Sequence, residues 1–199
     1  MQIFNQELKE QITGGKMGYN LDTPLSKDVL RKLRAGDKAA ISGVIYAARD
    51  AAHKNLVAML KQGMELPFDI RGQVIYYVGP CPAKPGKVIG SAGPTTSGRM
   101  DIYTPILIAQ GLAGMIGKGL RSRDVIQSMI DYGAVYFGAI GGAGALMAKH
   151  IVYQEIIAFP ELGPEALRKM KVAELPVIVV IDSYGSNLYE IGKKKYKEI

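Results

Sequence analysis

Apolar residues fall along this chain in short blocks whose period changes. Ala39 to Ala47 is an almost unbroken apolar run of strand length. Asp50 to Gln62 follows it with a helical stripe carried by Leu56, Val57 and Leu60, continuing to Met64. Thr23-Pro24-Leu25-Ser26 opens an earlier helix, with Ser26 as its N-cap and Val29, Leu30 and Leu33 facing inward, and Gly36-Asp37 closes it. Gln73 to Val78 alternates as a strand does. Val88 to Ala92 and Leu112 to Gly117 predict two more short strands. Ala134 to Ile140 predicts another, and Val177 to Ile181 is a β-branched run typical of a central strand. Ile102 to Gly111 predicts a helix with Pro105 in its first turn, and Ser122 caps a helix reaching Tyr132.

Strand and helix thus alternate through most of the chain. This predicts a single α/β domain over 1–199, with a mixed or parallel sheet and flanking helices. Residues 1 to 25 are poorly periodic, with Gly14-Gly15 and two short strand candidates. Gly79 to Gly86 carries three prolines and predicts an irregular loop. Pro160 to Pro164 predicts a surface loop. Glycine-rich loops follow strands at 93–98, 117–119 and 141–144, the strand ends at which ligands bind in α/β sheets. The last of these leads into a short Ala-rich helix.

The loop Gly93-Pro94-Thr95-Thr96-Ser97-Gly98-Arg99-Met100-Asp101 holds two glycines, three hydroxyls, an arginine and an acid in nine residues. Backbone N–H groups and hydroxyls there can donate to an anion, and a guanidinium fork matches a carboxylate. A helix starting near Met100 or Asp101 would add its N-terminal dipole. The bland alternative is a Gly/Pro turn with a solvated arginine. Arg49, Asp50 and His53 lie at the junction of the Ala39–Ala47 strand and its helix. Asp50 has a helix-capping or first-turn role open to it. His53 is either part of a site or a residue of the exposed helix face. Arg49 precedes the helix proper, where a charge adds little to stability.

Composition narrows the class. The apolar share is 48%, fit for a globular core. No run of 18 apolar residues exists, which argues against a membrane-spanning helix. The amino-terminal segment lacks a secretory pattern. One cysteine, Cys81, rules out an internal disulfide framework and a multi-cysteine metal or iron–sulfur site built by this chain alone. Together these predict a cytoplasmic protein. The net charge of +7 includes the tail Lys193-Lys194-Lys195-Tyr196-Lys197, and no nucleic-acid-binding motif accompanies it.

Taken together, these motifs resemble the β subunit of iron–sulfur hydro-lyases, the family of class I fumarases and L(+)-tartrate dehydratase. The residues that carry the resemblance are Leu33 to Asp37, Ile41-Ser42-Gly43, Ala48 to Lys54, Gly79 to Pro82 and Gly93 to Asp101. Gly114 to Gly119, Gly141-Gly142-Ala143 and Asp182 to Glu190 extend it, so that it covers about 22–190. It implies a swivelling β/β/α domain. It also implies a separate α subunit, in an α2β2 assembly, whose cysteines hold a [4Fe-4S] cluster. The implied reaction is the reversible hydration of fumarate to L-malate.

The same resemblance assigns roles. Arg49 and Arg99 would each grip a substrate carboxylate, with Lys118, in Gly117-Lys118-Gly119, as a third cation. Thr95 would be the catalytic hydroxyl near the proton to be moved, or else a plain hydrogen-bond partner of substrate. Gly98 and Thr96 would line the ligand. Asp50, His53 and Asp101 would stand behind these groups, Asp101 orienting Arg99 or capping a helix. No metal ligand is expected in this chain. Two other readings stay open at this point: a tartrate dehydratase β subunit, and a non-catalytic anion-binding module. A Rossmann-type nucleotide enzyme is disfavoured, because no loop has the G-x-G-x-x-G spacing after a strand.

Overall fold

The computed structural model describes residues 18–139 and 144–197. Four parallel pairings build the larger part of its sheet. β1 (Tyr19–Asp22) pairs with β2 (Lys38–Ala47), β2 with β3 (Val74–Tyr76), β3 with β4 (Gly114–Gly117), and β4 with β5 (Val135–Gly138). Two antiparallel strands complete it, β6 (Ile151–Ala158) and the 15-residue β7 (Leu167–Ile181). β7 pairs with β6, with β5 and, along almost its whole length, with β2. The pairings from β2 through β3, β4 and β5 therefore return through β7 to β2.

Helices fill the crossovers. α1 (Lys27–Leu30) precedes β2 and α2 (Asp50–Lys61) follows it. α3 (Thr104–Ala109) precedes β4, α4 (Arg123–Tyr132) precedes β5, and α5 (Gly144–Lys149) precedes β6. α6 (Leu188–Tyr196) follows β7. Ser26 and Ser122 accept from Val29 N–H and Val125 N–H as predicted N-caps, and Pro105 lies in the first turn of α3. Asn187 caps α6, so the basic run Lys193-Lys194-Lys195 lies in the last turn of a helix.

Burial explains why the central strands read as continuous apolar runs. Val74, Tyr76, Ile116, Val135 and Phe137 pack in one core cluster with Met170, Val172, Val177 and Val179 of β7. Their alternates Ile75, Tyr77, Met115 and Tyr136 pack in a second, against Ala52, Leu56 and Val57 of α2, Leu107 and Ile108 of α3, and Val125 and Met129 of α4. With both faces covered, neither side of these strands faces water.

Two predicted features differ from the structure, and one pair of strand segments goes unmarked by the sequence pattern. Val88–Ala92 is loop, not strand. Its nearest partner is Cys81, which donates to the Ser91 carbonyl and accepts from Gly90 N–H. Pro80 and Pro82 flank Cys81 and lack N–H donors, so no ladder extends. No α-helix starts at Met100 or Asp101. Ser97–Met100 is one 3-10 turn, and α3 begins only at Thr104. The dipole contribution imagined for the loop is therefore absent. β6 and the first half of β7 carry no regular strand pattern in the sequence, because Lys, Arg and Glu alternate irregularly there and Pro176 lies inside β7. The Gly14-Gly15 and Gly141-Gly142-Ala143 motifs lie outside the described residues.

Candidate active site

The carboxyl ends of neighbouring parallel strands β2, β3 and β4 deliver three segments to one place. β2 ends at Ala47, and two residues later Arg49 is the N-cap of α2. β3 runs into the Gly79–Pro82 loop and on to Thr95, whose N–H donates to the Tyr77 carbonyl at 2.8 Å. β4 ends at Gly117, next to Lys118. The end of parallel strands is where α/β sheets open a crevice for ligands.

Backbone bonds lock the second and third segments together. Ser97 N–H donates to the Lys118 carbonyl at 2.9 Å, and Lys118 N–H donates to the Thr95 carbonyl at 3.3 Å. Thr96 and Lys118 form a parallel bridge. Gly117 permits this approach, since a Cβ there would overlap Ser97 Oγ. Thr96, Gly98, Arg99 and Lys118 are exposed, while Thr95 is half-buried.

Ion pairs join the first segment to the second. Arg99 Nη2 lies 2.7 Å from Asp50 Oδ2, and Asp50 Oδ1 lies 3.9 Å from Arg49 Nε. Arg49 Nη2 in turn lies 3.0 Å from Glu165 Oε1. Glu165 ends the 3-10 segment Pro160–Glu165, which the sequence offered only as a surface loop. Nothing local marks it as a partner of Arg49, from which 114 to 116 residues of chain separate it along the neighbouring contacts. The Arg49 side chain runs over Gly79, where a Cβ would come within 3.0 Å of its Cδ and Nη1. Asp50 is thus the first residue of α2, not its cap.

His53 is fully buried, and the exposed-face alternative is set aside by its environment. Its ring meets Tyr77 edge-on with centroids 5.1 Å apart. Nδ1 donates to the Arg49 carbonyl at 2.8 Å, and buried Nε2 has no hydrogen-bond partner in the protein. Burial, helped by nearby Arg121, lowers its pKa from 6.5 to about 4, against the opposing effects of the Arg49 carbonyl and Asp50. The ring is therefore neutral at pH 7.

Asp101 does not hold Arg99; Asp50 does. Asp101 pairs instead with Arg121 Nε at 2.7 Å and accepts from Ser122 N–H at 2.5 Å. Arg121 has a side chain with 0% exposure, against 48% for Arg99. It also donates to Thr104 Oγ1 at 3.0 Å and lies over the rings of Tyr77 and Tyr136. Its charge is kept despite burial, because Tyr77, Asp101 and Tyr136 outweigh desolvation and raise its pKa. Sequence reasoning missed Arg121, which local pattern does not distinguish from the neighbouring surface residue Arg123.

The residues present do not suit an iron–sulfur cluster. Cys81 is exposed and is the chain's one cysteine, whereas a cluster site takes three or four thiolates. Among the described residues no group of three His, Cys, Asp or Glu is placed to hold a metal ion. Among them, too, no helix is long and apolar enough to cross a membrane. What the arrangement brings together is two guanidinium groups, each already paired with an acid (Arg49 with Glu165 and Arg99 with Asp50), beside the exposed Thr96, Gly98 and Lys118.

Comparison with known proteins agrees with the motif resemblance. The family model described as Fumarase C-terminus matches residues 2–192. The chain is 36% identical over 194 residues to "Fumarate hydratase class I, anaerobic" of Escherichia coli (strain K12), covering 95% of this chain and 35% of that protein. It is 38% identical over 190 residues to "Putative L(+)-tartrate dehydratase subunit beta" of Methanocaldococcus jannaschii, covering 92% of this chain and 97% of that one. "Fumarate hydratase 2" of Leishmania major is 36% identical over 174 residues, with 85% of this chain and 31% of that protein covered. The chain thus spans about a third of these fumarate hydratases and nearly all of the tartrate dehydratase β subunit. By motif, family match and shared length, this chain belongs to the fumarase C-terminus family.

Proposed function

We propose that this chain is the β subunit of an iron–sulfur hydro-lyase that reversibly hydrates fumarate to L-malate, supplying the groups that grip the substrate's carboxylates. The observation that carries this is the bridge Arg99–Asp50–Arg49 at the carboxyl ends of the parallel strands. Asp50 bonds Arg99 at 2.7 Å and its other oxygen lies 3.9 Å from Arg49 Nε, so one carboxylate stands beside both guanidinium groups. A separate α subunit would complete the site and ligate the [4Fe-4S] cluster, in an α2β2 assembly in the cytoplasm. Support for a separate partner is that the M. jannaschii relative, named as a β subunit, has nearly the same span. The domain is read as a swivelling β/β/α fold, with the parallel strands, the β6–β7 ribbon and the helices as its layers.

In this reading Arg49 and Arg99 each take one carboxylate as a bidentate pair, and Lys118 adds a third positive charge where negative charge builds up on the substrate. Thr96 and Gly98 present N–H groups and a hydroxyl to the same carboxylates. Addition of water places a hydroxyl on one alkene carbon and a proton on the next. Thr95 Oγ1 is the atom of this chain to which this reading assigns the exchange of that proton. A threonine of ordinary acidity is a weak base, so it needs an activating group from the partner. Asp50 orients both arginines, Glu165 steadies Arg49, and neutral His53 props the Arg49 carbonyl.

A second reading, L(+)-tartrate as substrate, is favoured by the near full-length match to the M. jannaschii protein. The test is an anaerobic assay of this chain mixed with its candidate α subunit against fumarate, L-malate and L(+)-tartrate. Hydration activity that needs both chains and is lost in air supports the fumarate reading. Activity on tartrate alone moves the assignment to that substrate, and no activity with a reconstituted cluster overturns both.

A further inference from the structure

We infer that Arg121 is a positioning residue, the buried strut that holds the Arg99 turn and the Lys118 loop at one fixed separation. This rests on the functional reading above. Three ties run between segments 95–101 and 117–122. The outermost is the backbone ladder joining Thr95 and Ser97 to Lys118. The middle one is Tyr136, whose hydroxyl donates to the Gly119 carbonyl at 3.1 Å and lies 2.9 Å from Ser97 Oγ. The innermost is Asp101, one residue after the turn that carries Arg99, bound to Arg121 and to Ser122 N–H. Arg121 serves the last two ties at once. Its guanidinium pairs with Asp101 and lies 5.0 Å from the Tyr136 ring centre.

Only arginine fits the place. The fork reaches Asp101 through Nε and both Thr104 Oγ1 and the Tyr77 hydroxyl through Nη2, with its central carbon 5.3 and 5.0 Å from the centres of the Tyr77 and Tyr136 rings. A lysine ammonium supplies the charge without the second direction or the flat face. Arg121 touches no substrate, since its side chain is sealed from solvent. It acts by keeping Arg99 and Lys118, both on exposed loops, at the spacing of their ligand. A displacement of about 1 Å in such groups costs on the order of 10²-fold in rate.

The variants to compare are Arg121→Lys and the double change Asp101→Asn with Arg121→Met, which removes both buried charges together and so leaves neither unpaired. Two readouts are taken at a temperature where every protein is folded by circular dichroism. One is titration of the full chain with succinate, followed by amide NMR shifts at Thr96, Gly98, Lys118 and Gly119. The other is kcat and KM of the complex with the α subunit. The expected result is folded variants whose succinate affinity falls at least tenfold and whose kcat/KM falls about 10²-fold. Arg121→Lys should regain thermal midpoint without regaining affinity. Wild-type affinity and kcat/KM in the folded double variant would overturn the proposal; where the isolated wild-type chain shows no succinate shift, native kcat/KM of the double variant in the complex overturns it alone. If the wild-type complex turns over no hydroxy-dicarboxylate, the functional reading fails, and the succinate titration still decides the role of Arg121.

Discussion

Arg99 Nη2 lies 2.7 Å from Oδ2 of Asp50, a residue 49 positions earlier in the chain. The other oxygen of that carboxylate faces Arg49. One acid at the first turn of α2 therefore holds a cation from the loop after β3 and lies 3.9 Å from another at the end of β2. Asp50→Asn keeps the shape and removes the charge that orients them. We expect kcat/KM of the complex to fall about tenfold, with KM taking most of the change. Stability should move by no more than about 1 kcal/mol, because the pair is partly open to solvent. Arg99→Ala should cost more, about 2–5 kcal/mol in kcat/KM, since a bound carboxylate then loses its partner. Steady-state kinetics beside a urea titration checks both, and unchanged kcat/KM in Arg99→Ala would remove it from the site.

Gly79 offers a subtler probe of Arg49. Its φ is not in the left-handed region, so alanine meets no backbone penalty there. A new Cβ would, however, press on Arg49 Cδ and Nη1 at 3.0 Å. Gly79→Ala should leave the thermal midpoint within a few degrees of wild type and raise KM several-fold. A variant with native KM would show that Arg49 yields without consequence to binding.

Thr95 separates proton transfer from binding. If its hydroxyl exchanges the substrate proton, Thr95→Ala lowers kcat by about 10²-fold or more and Thr95→Ser recovers much of it. A raised KM at native kcat would leave Thr95 as a hydrogen-bond partner only. Its N–H bond to the Tyr77 carbonyl is backbone and survives either change.

His53 predicts an acid limit to stability. The unfolded chain takes a proton near pH 6.5, while the folded chain resists it until about pH 4. Between those values the unfolded state binds more protons, so stability falls as pH falls. The contribution is present in full above pH 6.5 and about 3 kcal/mol of it is lost by pH 4. His53→Gln should flatten that part of the curve. Urea unfolding of both proteins from pH 7.5 to 4 measures the difference, and parallel curves would refute the assignment.

Much of this protein is legible in local pattern because local physics decides it. Ser26 and Ser122 cap helices by hydrogen bonds within their own turn. Runs such as Val135 to Gly138 must be strands buried on both faces, since no amphipathic period is present. Glycine-rich loops after strands single out the Gly93–Asp101 segment as an anion seat, whereas the roles given to Arg49, Thr95, Arg99 and Lys118 come from the family resemblance of their motifs.

Tertiary structure alone decided the rest. That Asp50 rather than Asp101 holds Arg99, that Glu165 reaches Arg49, and that His53 is buried all depend on which strands pair and how the chain returns through β7. Arg121 makes the point most sharply. By sequence it is one arginine beside a helix cap, indistinguishable from solvated Arg123. Its burial arises only when the loop after β4 folds against Tyr77 of β3's exit and Tyr136 of β5. A side chain's charge is written in the sequence, but whether that charge faces water or an aromatic cage is set by contacts between distant segments, which no local period encodes.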